Sequence, residues 1–274
     1  MLTATLLALG AAVLHAGWNF GIKQTVGDRF IALWGQMFVA GAACTIGLAI
    51  VGGMPAAGWK WAALSGCVHL PYCWFLAHAY DHGDFSLVYP VARGGGALLA
   101  AVGGLVLLDD RLSVLGVVAI TIVAGGLFLL AGHIRGPELA SAAKVALTIG
   151  VYSVSDAKGI RASNSSYVFG SFVATMVTTT TFGIVTRRGP RMVAAMRMNW
   201  RRFLVLGLAT AVTYAMVQLA FQRAAVGYVT ALRESSVVLA AFIGARMLHE
   251  PAGRKRITAS LVVLSGLVLL VIAR

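Results

Sequence analysis

The sequence predicts an all-α integral membrane protein, about ten transmembrane helices laid out as an inverted five-plus-five repeat. Three observations carry this. Of 274 residues, 59% are hydrophobic and 11% charged, whereas a soluble domain carries about 25% charged residues. So few charges cannot cover a surface that faces water. Apolar runs of roughly 20 residues, enough to cross about 30 Å of hydrocarbon as helix, recur along the whole chain. Finally, segments of the first half return in the second. The runs are continuous rather than alternating, which argues against a transmembrane β-barrel.

The first predicted span, residues 2–22, is too long and too poorly flanked for a cleaved signal peptide. It lacks a basic start, and His15, Trp18 and Asn19 follow its apolar run. Four more spans are expected at 31–51, 61–80, 85–107 and 112–131. The second set falls at 139–155, 168–186, 203–221, 226–248 and 257–273. Repeat one thus covers 1–132 and repeat two 138–274. Connections are short. The longest polar one runs from Arg187 to Arg202 and also holds Arg188, Arg191, Arg197 and Arg201.

The repeat is read residue by residue. Residues 77–85 align with 220–228 and residues 126–130 with 266–270, while Asp110 falls opposite Glu250. His15, Trp18 and Asn19 stand opposite Tyr152, Ser155 and Asp156. Both trios have the spacing i, i+3, i+4, which places three side chains on one helical face. Five spans per half is odd, so the second half must enter the membrane from the opposite side. Inverted repeats of this kind build a site between their halves near the bilayer midplane.

A net charge of +13 invites a nucleic-acid reading, but the charges lie in connections between apolar runs, where anionic lipid headgroups attract them. Membrane lipid and a small-molecule substrate are the expected partners, nucleic acid is not, and a homodimer is left open. The connections after helices 1, 5, 7 and 9 carry 13 Lys and Arg against 6 on the other side. By the positive-inside rule this places the N-terminus outside the cytoplasm. Cys44, Cys67 and Cys73 sit in apolar surroundings without metal-ligand spacing and read as packing residues.

Ionised side chains inside hydrocarbon cost at least about 2.5–3.5 kcal/mol, so they face a partner or an aqueous cavity. Arg93 lies eight residues into the fourth span, with Tyr89 one turn before it, Pro90 between them, and Gly94, Gly95 and Gly96 after it. The glycines let another backbone come close. In the ninth span Arg233 and Glu234 occupy a similar depth. Either Arg93 or Arg233 pairs with Glu234 to hold helices 4 and 9 together, or these groups wall a polar cavity in which an arginine binds a carboxylate or phosphate. Asp156, with Tyr152 and Ser155 on its face, is either a partner of Arg161 or a protonatable cavity acid. His15 is a hydrogen-bonded core residue or a cavity residue. Tyr214, Gln218, Phe221 and Gln222 form a mixed polar and aromatic stripe on the eighth span, as His69, Tyr72, Cys73, Leu76 and Tyr80 do on the third. Asp109, Asp110 and Glu250 read as solvated or capping acids at helix ends. The chain contains no P-loop, no nucleophile elbow, no His-Glu-x-x-His and no haem-attachment motif. No enzyme activity, metal or cofactor is therefore expected, and a gradient or the substrate itself supplies the energy.

Taken together, these motifs resemble the EamA-like branch of the drug/metabolite transporter superfamily over essentially the whole chain. The resemblance rests on His15-Ala16-Gly17-Trp18-Asn19 with Lys23, on the run from Gly83 to Gly94, on Tyr152-Ser153-Val154-Ser155-Asp156, on Ala231-Leu232-Arg233-Glu234-Ser235-Ser236, and on His249-Glu250-Pro251. Asp109-Asp110 stands where Gly-Glu is usual after helix 4. The resemblance implies ten helices, an inverted repeat, a central cavity and alternating access, with both termini in the cytoplasm, in conflict with the charge count. It also implies a secondary transporter in the cell inner (plasma) membrane, an exporter of a small polar metabolite such as an amino acid or a related anion or zwitterion. The candidate cavity residues are His15, Trp18, Asn19, Tyr89, Arg93, Tyr152, Asp156, Tyr214, Gln218, Arg233 and Glu234. Two other classes stand beside this: a membrane-embedded enzyme or haem protein using His15, His69 or His78, and a non-transporting assembly partner.

Overall fold

A computed structural model describes the backbone of residues 1–23, 28–82, 85–131, 136–239 and 254–273, and their side chains except at 18–23, 29, 77–82, 85–87, 131 and 254–256. Trp18, Asn19, His78 and Glu250 therefore lie outside the described side chains. Among the described residues helix is the only regular secondary structure. The helices are α1 (Leu2–Lys23), α2 (Arg29–Ile50), α3 (Ala56–His82), α4 (Phe85–Leu107), α5 (Val114–Ala131), α6 (Gly136–Ala162), α7 (Tyr167–Val185), α8 (Gly189–Phe221), α9 (Val226–Arg233) and α10 (Arg254–Ile272). Four of them contain stretches long and apolar enough to cross a membrane, by length and composition: Phe30–Ile50, Val88–Leu107, Tyr167–Val185 and Gly189–Phe221.

Local chemistry sets the ends. Asp28 caps α2, its carboxylate accepting from the amides of Phe30 and Ile31, which satisfies N–H groups the helix cannot reach. Among the described residues two other than glycine take a left-handed backbone: Asp109 (φ 54), just past α4, and Arg187 (φ 57), between α7 and α8. In the left-handed region the Cβ crowds the backbone, and both chain reversals are tight.

Two expectations change here. The arginine-rich stretch between the seventh and eighth spans is not a loop: α8 begins at Gly189, with Pro190 in its first turn, and runs through to Phe221 with one non-helical residue, Asn199. Proline fits a helix start because its missing N–H would be unpaired there anyway. Nor does the ninth span run on unbroken. Helix α9 stops at Arg233, Glu234 sits in a turn, and helix resumes over 235–239; the stretch beyond lies outside the described residues.

The packing partners repeat when the halves are exchanged. Helix α6 packs on α3 and α4, and its counterpart α1 packs on α8 and α9; α3 lies against α7 as α8 lies against α2; α2 meets α7, α4 meets α9, and α5 meets α10. Each half thus buries itself mostly against the other. Thr5 near the start of α1 bonds Tyr228 on α9 at 2.8 Å. Arg161 near the end of α6 bonds the Ala224 carbonyl just before α9. So α1 begins at the end of the bundle where α6 finishes, and these two corresponding helices run in opposite directions.

Small residues make the close crossings. A Cβ on Gly207 would lie 2.8 Å from the Gln36 carbonyl oxygen, so α8 touches the backbone of α2. On α4, a Cβ at Gly96 would fall 2.6 Å from Ile149 of α6, the approach that the glycine run predicts. Such contacts replace hydrophobic burial as the glue where the surroundings are apolar.

Polarity is arranged inside out. Leu2, Leu6, Leu9 and Val13 form an exposed stripe along α1, and Ile257, Leu261, Leu264, Val268 and Ile272 another along α10. Buried instead are Gln36, His69, Arg93, Asp156, Gln218, Arg233 and Glu234. A water-soluble protein does the reverse with its charged groups.

Candidate functional site

The buried polar groups converge on a cavity between the halves. Helices α1 to α4 contribute His15, Gln36, His69, Tyr72 and Arg93, and α6 to α9 contribute Tyr152, Ser171, Thr175, Thr210, Thr213, Tyr214 and Arg233. About 60 Å³ is open to the centres of water-sized molecules, and a single water needs about 10–15 Å³ by that measure. The chamber therefore has room for several waters, or for the polar head of a small metabolite.

Of the two sequence alternatives for Glu234, the geometry selects Arg93. Its Nε donates to Glu234 Oε2 at 3.0 Å and its Nη2 lies 2.7 Å from Oε1. Both side chains are under 5% exposed. This fork-on-fork contact uses both carboxylate oxygens and ties α4 to the turn after α9, with the Arg93 guanidinium 6.0 Å from the Tyr89 ring centre. His15 joins the same wall through its Nε2, 3.2 Å from the Tyr89 hydroxyl.

Arg233 is left in a different state. It is 4% exposed, its Nε has no hydrogen-bond partner, and no ion pair reaches it among the described residues. Its one described contact of this kind is the Tyr214 ring, 5.6 Å from the guanidinium carbon. The Gln36 amide, 0% exposed, spends its nitrogen on the Thr210 hydroxyl and leaves Oε1 without a partner.

Asp156 stands behind this wall rather than in it. Its Oδ1 accepts from the Tyr167 hydroxyl at 2.9 Å and its Oδ2 from the Tyr214 hydroxyl at 2.5 Å. The pairing of Asp156 with Arg161 weighed from the sequence is not made: Arg161 pairs with Asp110 at 2.7 Å. Tyr214 accordingly has two jobs, its hydroxyl on Asp156 and its ring under Arg233. His69 stacks on Tyr152 with centroids 4.5 Å apart, and its Nδ1 lies 2.8 Å from the Ser65 carbonyl oxygen. A carbonyl only accepts, so Nδ1 is the donor in that contact.

Of the remaining residues expected at a cavity, Tyr89 and Glu234 sit one layer back, holding His15 and Arg93. Gln218 is buried against Ser171, donating from Nε2 at 2.9 Å. Gln36, Ser171, Thr175, Thr210 and Thr213 line the chamber without having been singled out. For Gln36 a signal existed, an amide in the middle of an apolar run. The threonines gave none, because Thr175 and Thr213 bond the carbonyl four residues back within their own helices and sit comfortably in any apolar helix. Among the described residues no group of three His, Cys, Asp or Glu converges.

One end of the bundle is held by a compact polar clip. Arg161 donates to Asp110 Oδ1, to the Phe221 carbonyl at 2.8 Å and to the Ala224 carbonyl at 2.9 Å. Asp110 Oδ2 accepts from the Val226 amide at 2.7 Å and so caps α9. The acid expected at a helix end thus joins the ends of α4, α6 and α8 to the start of α9.

No family model matches the chain, and no curated protein matches it. Solved structures do. The crystal structure of another protein superposes with a TM-score of 0.77 over 99% of this chain and 98% of its own, at 19% identity. That likeness shows the fold alone.

Proposed function

We propose that the chain is a secondary transporter that moves a small polar metabolite, an amino acid or a related anion or zwitterion, by alternating access. On this reading ten spans cross the cell inner (plasma) membrane as two inverted repeats, 1–132 and 138–274. The resemblance to the EamA-like branch implies the same, with export as the direction. The observation that carries the proposal is the chamber itself: two arginines, each under 5% exposed, line a cavity enclosed by helices of both halves. A bundle with a purely structural role would avoid the insertion energy of such groups. Supporting it are the exchange-symmetric packing, the opposed directions of α1 and α6, the apolar outward stripes, and the break in helix directly after Arg233, since interrupted helices mark substrate sites in inverted-repeat transporters.

The mechanism follows from the two polar assemblies. The Arg93–Glu234 fork sits at the chamber and joins a helix of each half. The Arg161–Asp110 clip closes the end where α6 and α8 finish. Opening that end separates the carbonyls of Phe221 and Ala224 from Arg161, while relaxation at the turn after α9 lets the wall rearrange. The test is uptake and counterflow in proteoliposomes against a panel of amino acids, hydroxy acids and organic phosphates. Saturable flux of at least one of them, lost in Glu234→Gln and retained in Val212→Ala on the exposed face, is the expected result. Flux no greater than in empty liposomes for the whole panel overturns the proposal.

A further inference from the structure

We infer that the chamber seats an anionic group, a carboxylate or phosphate, on Arg233 and not on Arg93. The inference rests on reading the chamber as the substrate site and assigns the residue that recognises charge there.

Among the described residues each acid near the chamber is already committed. Glu234 gives both oxygens to Arg93, at 3.0 and 2.7 Å, and although it follows Arg233 in the chain it serves the other helix. Asp156 gives one oxygen to Tyr167 and the other to Tyr214. Arg233 is thereby left with five N–H donors and no acceptor function of its own, 4% exposed and with Nε unpartnered. Native proteins pair their buried charges almost without exception, because an unpaired one keeps the full desolvation penalty. A cavity-lining guanidinium in this state calls for acceptor oxygens from outside the chain. Its planar fork matches a carboxylate or phosphate in two parallel bonds, which a neutral hydroxyl cannot supply and an ammonium would oppose. The Tyr214 ring, 5.6 Å away, covers one side of the guanidinium and holds it toward the chamber. Arg93 is less suited to the task, since Glu234 already neutralises its charge and occupies its Nε–Nη2 edge.

The test uses the purified full-length chain in detergent. Thermal unfolding is followed in sodium acetate and in sodium phosphate, each compared with sodium chloride at equal ionic strength, for the native protein, Arg233→Gln and Arg233→Lys. At least one of the two anions is expected to raise the midpoint of the native protein. Arg233→Gln is expected to lose about tenfold or more in apparent affinity, the equivalent of one charge-assisted hydrogen bond, and Arg233→Lys to keep part of the response. The same response in the native protein and Arg233→Gln, including none in either, overturns the inference. A ligand-free comparison guards against misfolding: Arg233→Met removes an unpaired charge and should raise the midpoint, whereas Arg93→Met strands Glu234 and should lower it. If both substitutions lower it alike, Arg233 has an internal partner and the inference fails. Anion binding without any flux in proteoliposomes would sink the transport reading alone; flux with an unaltered anion response in Arg233→Gln would sink this assignment alone.

Discussion

At the clipped end of the bundle Arg161 finds three acceptors, a carboxylate, the last carbonyl of α8 and a carbonyl just before α9. In the chamber Arg233 finds an aromatic face and, among the described residues, no anion. The side chain of Arg161 is 27% exposed, so water could have completed its bonding, yet the protein completes it. Arg233 is 4% exposed, and there the protein leaves the bonding of Nε open. Satisfaction at the more exposed arginine and deficit at the buried one is the reverse of what stability alone would select. The clip holds helix ends together, and on the proposed reading the open bonding in the chamber is where a substrate is received.

Substitutions can break this contrast, beginning with the largest effect. Glu234→Gln leaves both chamber arginines without an acid, so thermal unfolding in detergent should register a loss of about 3–5 kcal/mol, the toll of breaking a buried ion pair. Next comes Gly104→Ala in the clip. A Cβ there would sit 2.6 Å from Asp110 Oδ2, and moving that carboxylate should cost about 1–3 kcal/mol and loosen the α9 cap. Arg161→Ala should cost less, about 1–2 kcal/mol, because water can take over part of its hydrogen bonding; its flux profile should change while its acetate and phosphate responses stay as in the native protein. Tyr214→Phe should be mildest, about 1 kcal/mol for one lost hydroxyl on Asp156. With the ring kept under Arg233, the anion response should persist. If Tyr214→Phe abolished it, the hydroxyl and not the ring would belong to the anion site.

Much of the fold was legible because hydrocarbon imposes a length and a polarity on every segment that enters it. Apolar runs placed the helices, and the opposed directions of α1 and α6 are those an inverted repeat expects. What escaped was tertiary. Nothing local marks the break after Arg233, which lacks a nearby proline or glycine and coincides with the fork that Glu234 makes to α4. Arg161 is five residues from Asp156, one helical turn and more, but its partner comes from the α4–α5 connection 51 residues away. Asp156 looked like a cavity acid on its helix; Tyr167, from the next helix, and Tyr214, from α8, close around it. The Arg187 to Arg202 stretch looked like a loop because its charges mask helical continuity, whereas Arg188 is held by the faces of Phe30 and Trp74 at 5.4 and 5.6 Å.

On the transport reading the chamber between the halves is the path of the substrate. Two adjacent residues of α8 test it most directly, Thr213, 2% exposed and lining the chamber, and Val212, 53% exposed on the outer face. Each is replaced by cysteine in a background where Cys44, Cys67 and Cys73 are alanine, and flux in proteoliposomes is measured after a small polar thiol reagent, with and without a transported metabolite present. The account predicts that the reagent blocks Thr213→Cys, that the metabolite protects it, and that Val212→Cys continues to transport. Equal inhibition at both positions, or inhibition at Thr213→Cys that no transported metabolite relieves, would contradict it.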